Sequence, residues 1–297
     1  MEPNPLLKRL GFAPGDRVAI IHTDDIGMCH ASVVAFAGLF EAGIISSGAV
    51  MVPCPWFLEA ARFARQHPQA DLGVHLTLTS EWETYRWGPI STREYDTGLL
   101  DAEGCFPHRA NTVQESAQAV AAQIELEAQV KRAIKAGMRP TNIDTHMGTV
   151  AHARFMEGYI SLAWAYHLPP MIPRLDAAGF RGLGMDDLGA EIASHYIYEQ
   201  EANGLPLLDH VLGMNLDTPE NRLERTKQAL AGLEPGITHF IIHPSVDTPE
   251  LRAITPDWAC RAADYQDFLN EELRAFIQQQ GIQVIGYRAI QDVMPKG

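Results

Sequence analysis

Arg17-Val18-Ala19-Ile20-Ile21-His22-Thr23-Asp24-Asp25-Ile26-Gly27 is the stretch on which the reading of this chain turns. Its apolar part, Arg17 to Ile21, has the length and composition of a short buried strand. Two adjacent carboxylates at the C-terminal end of such a strand repel, and their pKa values are driven apart. A bound metal ion relieves the conflict, because one carboxylate can ligate while the other serves as a base. The pair alone says little: Asp186-Asp187 is a second one and reads as the start of a helix.

Outward from this strand, short apolar runs alternate with longer amphipathic stretches. Strands are expected at Arg17–His22, Ser47–Val52, Leu72–Leu76, Thr141–His146, Met171–Arg174, Pro206–Gly213, Thr238–Ile242 and Gln283–Gly286. Between them, helices are expected at His30–Ala42, Pro55–Gln66, Thr112–Ala136, Ala153–Tyr166, Pro219–Ala231 and Asp264–Gln280. Apolar residues at Val113, Ala117, Val120, Ala121, Ile124 and Ala128 repeat close to the helical period, and Gly137 and Pro140 supply stop signals. Alternation of this kind over the whole chain implies a parallel sheet with helical crossovers. The expected fold is α/β, an irregular (β/α) barrel of seven to eight mostly parallel strands; a doubly wound open sheet is the runner-up. One domain spans 1–297, and a long lid-like insertion at about 77–111 follows the third strand. It carries Trp82, Tyr85, Trp87 and Phe106 and is broken by Gly88-Pro89 and Gly104.

In a parallel barrel all strand C-termini meet at one rim. His75 ends the third expected strand, His146 the fourth, with Asp144 two residues earlier on the same face, and His243 follows a late strand. The rim then holds Asp24, Asp25, His75, His146 and His243. One carboxylate and two imidazoles form an open site for a divalent ion, with positions left for water and substrate. Any single strand-terminal His is more simply a hydrogen-bonded structural residue. The coincidence of four polar points at strand C-termini is what favours a site. Asp144 reads as a support behind it or as a plain turn residue, and His22 and His239 read as structural.

Composition narrows the partners. A net charge of −14 argues against nucleic-acid backbones and anionic membranes. No apolar leader and no run of about 18 apolar residues is seen, so neither a signal peptide nor a membrane span is expected. Cys29, Cys54, Cys105 and Cys260 are scattered without a Cys-x-x-Cys pair, which suits a reducing cytoplasm. A homodimer is compatible with the sequence.

The short motifs stand in a familiar order: Thr23-Asp24-Asp25-Ile26-Gly27-Met28, Gly73-Val74-His75-Leu76-Thr77, Leu99-Leu100-Asp101-Ala102-Glu103-Gly104-Cys105-Phe106, Ile143-Asp144-Thr145-His146 and His243-Pro244-Ser245, with Arg261-Ala262-Ala263-Asp264 later. From about residue 17 to about 290 the chain resembles the YdjC-like (ChbG/HpnK) carbohydrate deacetylase family. The resemblance implies an irregular (β/α) barrel that hydrolyses the N-acetyl group of an amino sugar or short N-acetylated oligosaccharide. By position, Asp25, His75 and His146 resemble the metal ligands, Asp24 the general base and His243 the general acid. Ile26 stands where many members have Phe, and Ser245 where they have Gly; neither change removes a reacting group. Arg261 or Arg174 would support the base from behind. Trp82, Tyr85 and Trp87 would either stack on sugar or pack beneath the loop. One divalent metal ion is expected, zinc by the two imidazoles, with magnesium and manganese left open by the carboxylate.

Three rivals are weighed. A metal-dependent phosphoesterase shares the Asp/His vocabulary but usually needs two metals and more carboxylates. A non-catalytic carbohydrate-binding barrel would be expected to have lost a ligand or the base, whereas all five positions are filled. A dinucleotide enzyme is weaker, because Gly182-Leu183-Gly184 lacks the third glycine at the fingerprint spacing.

Overall fold

The computed structural model describes residues 3–296. Seven strands form one all-parallel sheet: β1 Arg17–Ile26, β2 Ser47–Val50, β3 Leu72–Leu76, β4 Ile143–Thr145, β5 His210–Gly213, β6 Gly236–Ile242 and β7 Gln283–Val284. Their order is β4-β3-β2-β1-β6-β5. The short β7 shares an edge of β1 with β2, pairing at Val18 and Ala19 while β2 pairs from His22 onward. The two edges of the curled sheet are joined by isolated parallel bridges, Ile143 to Pro170 and Pro173 to Leu208. This is the irregular barrel expected from the strand–helix alternation.

Where the observed elements differ from the expected ones, the cause is local. In place of the strand expected at Met171–Arg174 there are two isolated bridges, at Pro170 and Pro173, because Pro169, Pro170 and Pro173 have no N–H to give to a ladder. The helix expected over Thr112–Ala136 is two helices, Ala110–Ser116 and Ala119–Lys135. At the break, the Gln118 N–H donates to the Thr97 carbonyl. Gly98, at φ +70, passes so close that a Cβ there would lie 2.3 Å from the Ser116 carbonyl oxygen. Asp264–Gln280 is likewise split, into Trp258–Leu269 and Glu271–Gln279, with the Asn270 side chain capping the second helix through Glu272 N–H. Asp186 caps the helix Asp187–Ala202, as the expected helix start requires. Among the described residues no helix is long and apolar enough to cross a membrane.

The alternation of β1 sorts the interior into layers. Ala19 and Ile21 face outward and pack with Phe240, Phe268 and Leu273. Val18 and Ile20 face inward, onto Leu6, Leu7, Ile237, Tyr287 and Ile290. That inner group closes the end of the barrel where the strands begin. Further along the same face come His22 and Asp24, both buried. β3 and β4 repeat the pattern: Leu72, Val74, Leu76 and Ile143 join the outer core, while His75 and Asp144 sit in register on the opposite face.

The insertion after β3 is tied to the helix Ala119–Lys135 by a buried carboxylate. Glu125 accepts from the Ile90 and Ser91 N–H groups and from Gln129 Nε2, and Gln129 in turn pairs with both backbone groups of Thr77. Replacing Glu125 by Ala leaves the Ile90 and Ser91 N–H groups without this acceptor. A loss of about 2–4 kcal/mol in urea unfolding is expected, at roughly 1–3 kcal/mol per stranded buried group. A loss under about 1 kcal/mol would mean that the insertion is held by its apolar contacts alone.

Candidate metal centre

Adjacent residues of a regular strand point to opposite faces, so Asp24 and Asp25 should not both reach the rim. A fault in β1 brings them together. Pairing with β2 slips between Thr23 and Ile26, and Asp25 lies in the left-handed region at φ +61. That conformation is costly for a residue with a Cβ, and it persists where the surroundings over-determine it. Here the Asp25 carboxylate is held on both sides. Oδ2 accepts from Arg261 Nη1 at 2.7 Å, and Oδ1 faces His146 Nδ1 at 3.1 Å and His75 Nε2 at 3.4 Å. His146 is followed by a second left-handed residue, Met147 at φ +52, which turns the chain away from the rim.

Three donor atoms therefore form a triangle: Asp25 Oδ1, His75 Nε2 and His146 Nδ1, with 3.3 Å between the two nitrogens. Donors held at roughly 2.1 Å around a tetrahedral ion stand about 3.4 Å apart. Asp25 Oδ1 is buried and accepts no well-formed hydrogen bond from the described residues. The donor set and its spacing thus fit one divalent cation.

Behind the triangle, Asp144 fixes His75. Its Oδ1 lies 2.7 Å from His75 Nδ1 and its Oδ2 lies 2.7 Å from His22 Nε2. An ionised carboxylate can only accept, so His75 holds a proton on Nδ1 and turns Nε2 toward the triangle. His22 does the same for two carboxylates, being also 3.4 Å from Asp24 Oδ1. Beneath it, His239 packs ring to ring at 4.4 Å and meets the Tyr287 hydroxyl at 2.7 Å. His22 and His239, read as structural from the sequence, form the floor of the site, where with Asp24 and Asp144 they make a second buried group of candidate metal donors.

Asp24 stands beside the triangle, its Oδ2 3.8 Å from both His75 Nε2 and His243 Nε2. Burial first, then the Asp144 and Asp25 carboxylates, push it up to about 6 against the pull of His75 and His22. Asp25 goes the other way: burial opposes its charge, but Arg261 and His146 hold it well below the usual carboxylate range. Burial lowers His243 to about 3, so it is neutral at rest. Its backbone N–H donates to Asp264 Oδ2, and Asp264 is fixed by Arg222 at 2.5 Å.

Two expectations are corrected. Arg261 supports Asp25 rather than Asp24, because Asp257 anchors the guanidinium at Nε, 2.7 Å away, and the bulge swings the Asp25 carboxylate to meet it. Arg174 is not part of the site. It pairs with Glu201 at 2.6 Å and Asp209 at 3.5 Å, and its backbone joins Leu208, level with the start of β6. His243 lies at the other end of that strand, about 20 Å away at roughly 3.3 Å per residue.

The three aromatic residues pack on one another. Trp87 is only 4% exposed and gives its Nε1–H to the Thr79 carbonyl, Tyr85 gives its hydroxyl to the Met28 carbonyl, and Trp82 lies under Arg261 at 5.5 Å. Sequence reasoning missed Glu81, whose Oε2 is 3.0 Å from His146 Nε2, as well as Asp257 and the Asp264–Arg222 pair. Glu81 directly precedes Trp82 in the insertion; Asp257 stands four residues before Arg261, the one spacing that could have flagged it.

Comparison with known proteins identifies the family. The family model described as YdjC-like protein matches residues 18–279. A carbohydrate deacetylase from Thermus thermophilus is 35% identical over 97% of this chain and 99% of its own. One from Thermoanaerobacter pseudethanolicus is 24% identical over 90% of this chain and 97% of its own. The crystal structure of a candidate cellobiose-phosphate cleavage protein from Enterococcus faecalis V583 superposes with a TM-score of 0.74 at 22% identity, covering 93% of this chain and 99% of the other, a likeness of fold. By the extent of the family match and by the Thermus relative, the chain belongs to the YdjC-like family.

Proposed function

We propose that the chain is a metal-dependent carbohydrate deacetylase, a hydrolase that removes the N-acetyl group of an amino sugar or short N-acetylated oligosaccharide. The observation that carries this reading is the triangle of Asp25, His75 and His146 with a second carboxylate, Asp24, at its side. Two relatives that align over nine-tenths or more of the chain are named carbohydrate deacetylase. Zinc suits the two imidazoles best, with magnesium or manganese compatible with the carboxylate.

A divalent cation held by the three donors would polarise the acetyl carbonyl and lower the pKa of water from about 15.7 toward roughly 7. The chain's own residues do the rest. Asp24 accepts the proton of the attacking water. Asp144 and Arg261 keep His75 and Asp25 in place, so the donors do not reorganise during the reaction. The leaving amine needs a proton, and Asp24 holds the one released by water. His243, neutral at rest and 3.8 Å from Asp24 through Nε2, carries that proton to the nitrogen. Trp87 has no open face and is left out of the sugar contacts; Trp82 and Tyr85 serve as the wall that seals this side of the site.

Acetate release from N-acetylglucosamine, chitobiose and longer oligomers, with metal analysis of the same samples, tests the reading. Asp25→Ala, His75→Ala and His146→Ala are each expected to lose the metal and the turnover. Asp24→Asn should keep the metal and lose at least about 100-fold in kcat, the usual span for a positioned base. Stoichiometric metal in all three ligand variants, or near-normal turnover in Asp24→Asn, contradicts the assignment.

Metal affinity should also depend on pH. Without an ion, burial opposes the charge on both imidazoles, but Asp144 and Asp24 raise His75 well above its ordinary value, and Glu81 and Asp25 raise His146 to about 9. Both imidazoles therefore hold a proton more tightly than usual, and a cation must expel it. Apparent affinity is expected to climb as the pH rises from 6 to about 9. Affinity independent of pH over that range would place the ion elsewhere.

A further inference from the structure

The two ligand imidazoles face the same requirement: each must hold its proton on the outer nitrogen so that the inner one is free to bind. Asp144 meets it for His75 from within the barrel. We infer that Glu81, from the insertion after β3, is the corresponding positioning residue for His146. The inference rests on the metal-centre reading above.

Three observations carry it. His146 turns Nδ1 toward Asp25 and His75, so Nε2 points out of the triangle, and Glu81 Oε2 receives it at 3.0 Å. No other described side chain approaches that nitrogen within hydrogen-bond distance. The carboxylate is also pre-placed. Ser80 N–H donates to the Pro107 carbonyl, Ser80 Oγ accepts from Trp87 N–H at 3.0 Å, and His108 Nδ1 lies 3.2 Å from the Glu81 carbonyl. Arg86 closes this loop on itself, through Asp101 at 2.6 Å, Glu103 at 2.9 Å and the Phe106 carbonyl at 2.7 Å. Residue 81 is thus clamped on both sides, and its side chain, 19% exposed, spans from the clasp to the histidine.

The consequence is a coupling between the insertion and the ion. The barrel alone supplies the three donors, but the tautomer of one of them is set by a segment outside the barrel. Anything that loosens the clasp should weaken metal binding, and by linkage a bound ion should steady the insertion. Carboxylates in this outer position typically account for 10–100-fold in metal affinity.

The test is zinc affinity of the metal-free full-length protein, measured by competition with a chromophoric chelator, beside thermal unfolding of each variant. Glu81→Ala is expected to weaken zinc about 10–100-fold. Glu81→Gln keeps an acceptor for the His146 Nε2 proton without the charge, and should recover at least half of that loss on a logarithmic scale. Arg86→Ala should fall on the same side as Glu81→Ala. Zinc affinity of Glu81→Ala within threefold of the unaltered protein, with His75→Ala losing zinc, overturns the inference and leaves the centre intact. Equal losses in the Gln and Ala variants, accompanied by equal drops in Tm, assign the effect to loop packing and also overturn it. Undiminished zinc binding by His75→Ala removes the centre itself, and the inference with it.

Discussion

Three carboxylates, Asp24, Asp25 and Asp144, are buried together at one end of this barrel, and among the described residues the one arginine or lysine that pairs with any of them is Arg261, with Asp25. Burying such charge without compensation is prohibitive. Arg261 answers one of the three. A divalent cation between Asp25 and the two imidazoles, as proposed above, would answer the other two. In its absence, protons on His75 and His146 do so, which is why both are pulled above their ordinary values. The local structure follows from this balance. The bulge in β1, the left-handed Asp25 and the Asp144 bridge between two histidines all bring opposite charges to one point.

The barrel makes that concentration of charge affordable by confining it to a single layer. One end is closed by Leu6, Leu7, Tyr287 and Ile290 against Val18, Ile20 and Ile237. Above that apolar plug the same strand faces turn polar, first His22 and His239, then Asp144 and His75, and finally the rim. Each layer holds the next: Tyr287 meets His239, His22 meets Asp144, Asp144 meets His75. The polar groups at the rim therefore rest on side chains fixed by packing, the preorganisation that the proposed reaction requires.

Much of this was legible in the sequence, and the reasons for the exceptions are physical. Periodicity and stop signals located the strands, and parallel topology alone brings His75, His146 and His243 to one end. What alternation could not show is how neighbours such as Asp24 and Asp25 share a face, because a bulge leaves no signature in residue types. The partner of Arg261 was hidden for the same reason. Arg174 looked plausible beside an expected strand, but three prolines reduce that strand to bridges, and its register sets the guanidinium at the closed end. Glu81 lay in an insertion whose path is fixed by side-chain clasps through Arg86 and Glu125, which no spacing rule anticipates. In sequence the aromatic cluster fits a sugar platform and packing equally, and the buried Trp87 ring shows how far burial, invisible there, decides such cases.

The most direct test of the central claim is a crystal structure of the zinc-loaded protein with an anomalous difference map at the zinc edge. The account predicts one strong peak bonded to Asp25 Oδ1, His75 Nε2 and His146 Nδ1 at roughly 2.0–2.2 Å, with Asp24 outside the coordination shell. A peak among His22, Asp144 and His239 instead, or no peak at the rim of a protein that binds zinc stoichiometrically, would contradict it.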